Sequence, residues 1–387
     1  MFSSRSSVDL SPNPLAVALE RARASSREVV DLTESNPTRA GLPYAREAIL
    51  AALARPAALA YEPAAFGIAP AREAVAKELS ALGPATDPSR VVLTASTSEA
   101  YAFLFKLLCD PGDEVLVPVP SYPLFEHLAR LESVRAVPYR LAYDGAWHID
   151  LASARDAVTP RTRAVVTVTP NNPTGSYLKR AELAGLAALG LPIVSDEVFA
   201  GYPLRDDPTR ARSVLEAEGA ELVFALGGLS KLAALPQMKL AWTTVGGRDA
   251  RVAEAMGRLE VIADAFLSLA TPVQHGAGAL LASRHVVEDA IRARTRANLA
   301  FAQDAVRGSP VTLLDVEGGW YATLRVPATR SELEWTVALV EGDGIHVHPG
   351  HFFDFDREAY LVVSLLTPEA AFRDALPRLV HRVTTTA

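Results

Sequence analysis

A single cysteine, Cys109, is all that the 387 residues contain. That excludes an intramolecular disulfide and fits a reducing compartment, so the expected location is the cytoplasm. Cys109 closes the apolar run 103–108 and is expected to be a buried helix residue. No apolar run approaches the roughly 18 residues that a membrane span needs, and the polar start at residues 1–7 is no targeting signal. No Lys/Arg run occurs either, and with a formal net charge of −7 neither a nucleic-acid nor a membrane partner is expected. The chain has no Walker A loop, no G-x-G-x-x-G after a strand, no H-E-x-x-H, no C-x-x-C and no G-x-S-x-G. Gly276-Ala277-Gly278 lies inside a helical pattern and reads as close packing. His346, His348 and His351 lie close together, but only Asp354 and Asp356 accompany them, so no metal site is expected.

The chain does have an ordinary globular composition, 49% hydrophobic and 21% charged, long enough to bury a large core. Short β-branched runs at 91–94, 114–119, 136–141, 164–169, 192–195, 222–226 and 241–245 alternate with amphipathic stretches at 98–109, 122–132, 180–189 and 249–261. Near-continuous apolar strands between helices predict an α/β domain around a mostly parallel, seven-stranded sheet covered on both faces. Residues 274–307 read as one long helix. Past Gly308-Ser309-Pro310 the pattern changes to strands at 311–316, 320–326, 346–347 and 360–365, with helices at 331–341 and 368–380. The opening segment, a helix at 15–24 and a strand at 29–32, is too short to fold alone. The expected division is a large domain over 45–295 and a smaller α+β domain from both chain ends, 1–44 and 296–387.

Five elements sit at strand ends or strand-to-helix turns, where ligands of open α/β sheets collect. Ser96-Thr97-Ser98 opens a helix whose free N–H groups and dipole suit an anion, though Ser and Thr are also common plain N-caps. Tyr122, in Pro120-Ser121-Tyr122-Pro123, offers a ring for stacking. Thr169-Pro170-Asn171-Asn172-Pro173-Thr174-Gly175 is a turn able to hold an amide over a pocket. Ser195-Asp196-Glu197 puts carboxylates at the end of an apolar strand, which is costly unless a cation pairs with them. Gly227-Gly228-Leu229-Ser230-Lys231 follows, with Lys239 eight residues on.

In this order and spacing, from about residue 29 to 380, the elements resemble the fold-type I pyridoxal-phosphate enzymes, specifically the class I/II aminotransferases. The resemblance implies pyridoxal 5′-phosphate as cofactor, a homodimer, and amino-group transfer from an amino acid to a 2-oxo acid. Lys231 matches the Schiff-base lysine, since a primary amine is what condenses with the cofactor aldehyde. Asp196 matches the carboxylate at the pyridine nitrogen, Asn172 the partner of the phenolate oxygen, and Tyr122 the ring stacked on the cofactor. Ser96, Thr97, Ser98, Ser230 and Lys239 match the phosphate cradle, and Tyr61 a tyrosine that reaches the phosphate from the partner subunit.

Three residues depart from the pattern. Lys239 replaces the usual arginine and loses its planar fork. Phe199 stands where many relatives have a tyrosine, with Tyr202 as a possible substitute donor. Val362 replaces the arginine that grips the substrate carboxylate, which leaves Arg39 as the candidate anchor alongside Asn172. The apolar segment Ala265-Phe266-Leu267-Ser268 points to a donor with a neutral or apolar side chain rather than aspartate. A β-eliminating carbon–sulfur lyase on the same scaffold is the alternative reading.

Overall fold

Apolar, β-branched runs form strands where both faces find cover, and all seven expected between residues 91 and 247 do so in the computed structural model. The structure describes residues 2–8, 10–26, 28–357 and 359–386. Met1 and Ala387, the outer limits of the expected smaller domain, lie outside them. The strands are β1 (Val91–Thr94), β2 (Glu114–Val119), β3 (Arg135–Tyr143), β4 (Trp147–Ile149), β5 (Thr162–Val168), β6 (Ile193–Asp196), β7 (Leu222–Gly228) and β8 (Ala241–Gly247). Sheet order is β1-β8-β7-β6-β5-β2-β3-β4. The sheet thus has eight strands, not seven. The extra one, β4, is three residues long and pairs antiparallel with β3 at the edge, too short for its periodicity to register. Five strands, β7, β6, β5, β2 and β3, run parallel, while β8 is antiparallel to both its neighbours.

Alternate residues of each central strand enter opposite cores. Val115, Val166 and Phe224 pack against Tyr101, Leu104 and Leu259 on one face. Leu116, Val165 and Val223 meet Leu183 and Leu186 on the other. Chain order reverses between β5 and β2, and in open α/β sheets ligands bind at the carboxyl ends of the strands beside such a reversal.

Two helix expectations need correction. The helix expected at 98–109 runs Thr97–Leu108, and Cys109 is its extended C-cap, half-buried rather than enclosed. Residues 274–307 are two helices, Thr271–Ala282 and His285–Ala305. The break falls at Ser283-Arg284, where Arg284 turns inward to pair with Glu78 and Glu288. It does not fall at the glycines, and Gly276 is held by packing, since a Cβ there would lie 2.9 Å from the Ala52 carbonyl oxygen.

Beyond residue 310 an antiparallel sheet orders Thr312–Leu313, Tyr321–Arg325, Tyr360–Ser364 and His348–Pro349. The strand expected at 346–347 breaks at Val347: Ile345–His346 pairs with Val30–Asp31, while His348–Pro349 joins the antiparallel sheet. Leu32 shares a core with Val347, Leu361 and Phe372, and helix Pro14–Ala24 packs on Val340. His346 faces Asp31 at 3.2 Å and His351 faces Glu332 at 3.2 Å. Among the described residues no helix is long and apolar enough to cross a membrane, and no group of three or more His, Cys, Asp or Glu is placed to hold a metal ion.

Candidate active site

Lys231 lies on the short helix Leu229–Leu232, immediately past the carboxyl end of β7. Its amine is 5.0 Å from the centre of the Trp320 ring and 5.3 Å from that of Phe199. Burial pulls its pKa down to about 8, against the opposing pull of Asp196. Near neutral pH a usable fraction is therefore the free amine, the form that attacks a carbonyl.

Asp196 ends the adjacent strand β6, in register with Leu226. It is buried, and desolvation pushes its carboxyl up to about 6, opposed by the Val198 N–H at 3.2 Å, the charge of Lys231 and the hydroxyl of Tyr101. A carboxylate so placed gains by meeting a protonated nitrogen. Its neighbour Glu197 serves the fold instead. It accepts from the Val214 N–H at 2.7 Å and the Ser213 hydroxyl at 3.1 Å.

The two asparagines divide in the same way. Asn171 is spent on the turn: its oxygen accepts from the Ser121 hydroxyl at 2.8 Å, and its NH2 donates to the Pro120 carbonyl and Thr174 Oγ1, both at 3.0 Å. Asn172 is equally buried, yet its Oδ1 has no partner. A 180° flip would present its NH2 in the same place. The turn can close because Gly175 has φ +72° and its missing Cβ would lie 2.7 Å from the Gly318 carbonyl oxygen.

Tyr122 is 38% exposed, edge-on to Phe125 at 6.2 Å. Burial and the charge of Asp196 both raise its pKa. Ser96 caps helix Thr97–Leu108, its oxygen accepting from the Glu99 N–H at 3.1 Å. The N–H groups of Thr97 and Ser98, in the first turn, have no intrahelical acceptor. Ser230 is half-buried beside Lys231, and Lys239 is exposed in a left-handed conformation with φ +52°.

The remaining expected residues stand apart. Tyr61 is 66% exposed, with no hydrogen bond or ring contact to this cluster among the described residues. Arg39 is exposed on the turn after Pro37 and has no carboxylate within 4.0 Å among the described residues, while its neighbour Ala40 packs with Phe199 and Trp320. Val362 is wholly buried, with Thr323 and His348 as its cross-strand neighbours, so the place of the expected arginine is closed as well as uncharged. Tyr202 does not supply the hydroxyl missing at Phe199. Its own hydroxyl donates to the Lys231 carbonyl at 2.7 Å, bracing the lysine's backbone.

Three residues at the site went unnoticed in the sequence. Trp320 stands over Lys231, with its edge to Phe199 at 5.2 Å. Tyr321 lies near Phe199, and burial pushes its hydroxyl up to about 12. Tyr101, inside helix Thr97–Leu108, has a buried hydroxyl with no hydrogen-bond partner among the described residues, and the charge of Asp196 adds to burial in raising its pKa. A tyrosine in an apolar helix was the available signal for Tyr101.

A lowered-pKa amine, a buried carboxylate one strand away, an unpartnered amide, an open aromatic ring and a helix N-terminus form the donor set that pyridoxal phosphate requires. The model of the family described as aminotransferase class I and II matches residues 27–378. Mouse tyrosine aminotransferase is 23% identical over 95% of this chain and 84% of its own. The glutamate–pyruvate aminotransferase AlaA of Escherichia coli is 27% identical over 68% of this chain and 65% of its own. An alanine aminotransferase structure from Pyrococcus furiosus superposes over the whole of both chains, with a TM-score of 0.90 and 21% identity.

Proposed function

The chain belongs to the class I and II aminotransferases, pyridoxal-phosphate-dependent transaminases acting on amino acids and 2-oxo acids, and from that premise we propose that its amino donor carries a neutral or apolar side chain. One observation carries the reading: apart from Asp196, the groups around the Lys231 amine are two aromatic rings, Trp320 and Phe199. An apolar wall rewards an apolar substituent and penalises a desolvated second carboxylate. The exposed apolar residues Phe266 and Leu267 fit the same reading, since they offer no cation to a neighbouring site.

When bound, the cofactor supplies an aldehyde that condenses with amines and a ring that accepts electrons. The rest falls to this chain's residues. Lys231 would hold the cofactor and, once freed, carry the proton at the substrate's α-carbon. Asp196 would keep the ring nitrogen protonated, and Tyr101 would hold Asp196. Asn172 would meet the phenolate oxygen, with no second donor from Phe199 or Tyr202. Tyr122 would stack on the ring. Thr97, Ser98, Ser96, Ser230 and Lys239 would take the phosphate, joined by Tyr61 of the partner subunit. Arg39 would take the substrate carboxylate, supported by a guanidinium with no carboxylate within 4.0 Å among the described residues and by the packing of Ala40 on the aromatic pair. The lone cysteine favours a cytoplasmic location.

The test is the half-reaction with aspartate, alanine, leucine and phenylalanine, in wild type and in Arg39→Ala. Leucine, alanine or phenylalanine should outpace aspartate, and Arg39→Ala should raise KM for each. Preference for aspartate overturns the side-chain assignment, and unchanged affinity in Arg39→Ala overturns the anchor. Turnover without a 2-oxo acid acceptor would show elimination instead.

A further inference from the structure

A second cavity of about 280 Å³ lies beside β6, β7 and β8, bounded by Tyr177, Trp242, Arg210 and Leu79. None of Lys231, Asp196, Asn172, Tyr122 or Ser96 lines it. Its size is at the lower edge of the ~300–1,000 Å³ typical of small-molecule pockets. Its walls are mainly apolar and include Leu79, Leu232 and the Trp242 indole, and three arginines, Arg210, Arg212 and Arg292, also line it.

The three arginines are not equivalent. Arg212 is met by Glu216 at 2.9 Å and Arg292 by Glu288 at 2.6 Å. Arg210 has no carboxylate within 4.0 Å among the described residues. Its guanidinium lies 3.5 Å over the Tyr177 ring and donates to the Arg205 carbonyl at 3.1 Å, while its Nε is buried with no partner. Stacking fixes the plane of the fork before any ligand arrives, which lowers the ordering cost of binding an anion. The Thr244 hydroxyl, two residues beyond Trp242 on β8, also lines the cavity and is buried and unpartnered among the described residues. Glu197, the one carboxyl group in the lining, is spent on the Ser213-Val214 turn.

We propose that this cavity is a second ligand site for an aryl or branched aliphatic monocarboxylate, with its carboxylate on Arg210 and its apolar body against Trp242 and Leu79. A guanidinium without a counter-ion beside an apolar hollow selects for one negative charge on an apolar body. The site borders both Glu197, which follows Asp196, and Gly227-Gly228, which lead into Lys231. An occupant would thus lie directly behind the two elements that present the catalytic groups.

The probe is phenylacetate, with phenylacetamide as its neutral isostere, titrated calorimetrically into the holoenzyme. Phenylacetate should bind once per chain with a Kd below about 1 mM. Phenylacetamide should bind at least tenfold more weakly, and so should phenylacetate to Arg210→Gln, whose turnover at saturating substrate should match wild type. Lys231→Ala should keep the phenylacetate site, which separates it from the active site and from the assignment of the reaction. In crystals soaked with 4-bromophenylacetate, the bromine should lie between Trp242 and Leu79. Absence of binding at about 10 mM, equal binding by Arg210→Gln, loss in Lys231→Ala, or bromine only elsewhere would overturn the proposal.

Discussion

Two neighbouring strand ends carry buried titratable groups that are perturbed in opposite senses. Burial lowers the Lys231 amine to about 8 and raises the Asp196 carboxyl to about 6. Lys231→Ala should therefore abolish transamination, together with the visible absorption that borohydride removes from the wild-type holoenzyme; retained turnover would disprove the role. Asp196→Ala should fold and still bind cofactor, but lose about two to three orders of magnitude in kcat, the typical cost of removing one preorganised charge interaction. A near-normal rate would place another acid at the ring nitrogen. Tyr101→Phe isolates the positioning hydroxyl. It should shift the acid limb of the kcat pH profile upward by a fraction of a unit, because the carboxylate loses a stabilising donor. An unmoved profile would leave Tyr101 with only a packing role.

At the scale of elements, the strand-to-turn segment after β6 divides its work between two adjacent carboxyls. Asp196 faces the charge of Lys231, and Glu197 ties β6 to the turn at 213–214 through two accepted hydrogen bonds. Burial raises Glu197 to about 7, with the two donors opposing. A raised folded pKa means that the folded state binds the proton more tightly than the unfolded chain. Its contribution to stability is thus complete below the unfolded value near 4.5 and fades as pH rises through about 7. Glu197→Gln, which keeps an acceptor for the Val214 N–H, should flatten the apoprotein's stability loss between those pH values in urea titrations. An unchanged slope would mean that Glu197 is ionised throughout. The asparagine turn shows the same division, with Asn171 building the turn and Asn172 left free.

Across the whole molecule, Tyr61 and the segment ending in Leu267 lie on one side, tied by the bond from the Ala64 N–H to the Ser268 hydroxyl at 2.8 Å. Tyr61 (66% exposed), Phe266 and Leu267 (72% exposed) leave an apolar surface there of the kind that a second copy covers. The native protein should sediment as at least a dimer, and Tyr61→Phe should weaken cofactor affinity about tenfold without dissociating it. A fully active monomer would remove Tyr61 from the site.

The sequence by itself determined the seven long strands, because the apolar period of a doubly covered strand is local and survives any packing around it. It pointed to Lys231, Asp196 and Asn172 as candidates through turn motifs whose residue types have few other uses. What it left undecided depended on residues far apart in the chain. β4 forms only because β3 offers an edge, and the helical stretch 274–307 breaks where Glu78 and Glu288 draw Arg284 inward. Asn171 and Asn172 are chemically identical, and only the approach of Ser121 and Thr174 to the first leaves the second free. Tyr202, a possible donor on sequence alone, lost that role to the Lys231 carbonyl 29 positions away. Trp320 arrives from 89 residues downstream of Lys231, and Tyr101 from 95 residues upstream of Asp196. Side-chain periodicity carries no record of such meetings, since hydrogen bonds and ring contacts between distant segments are fixed by tertiary packing alone.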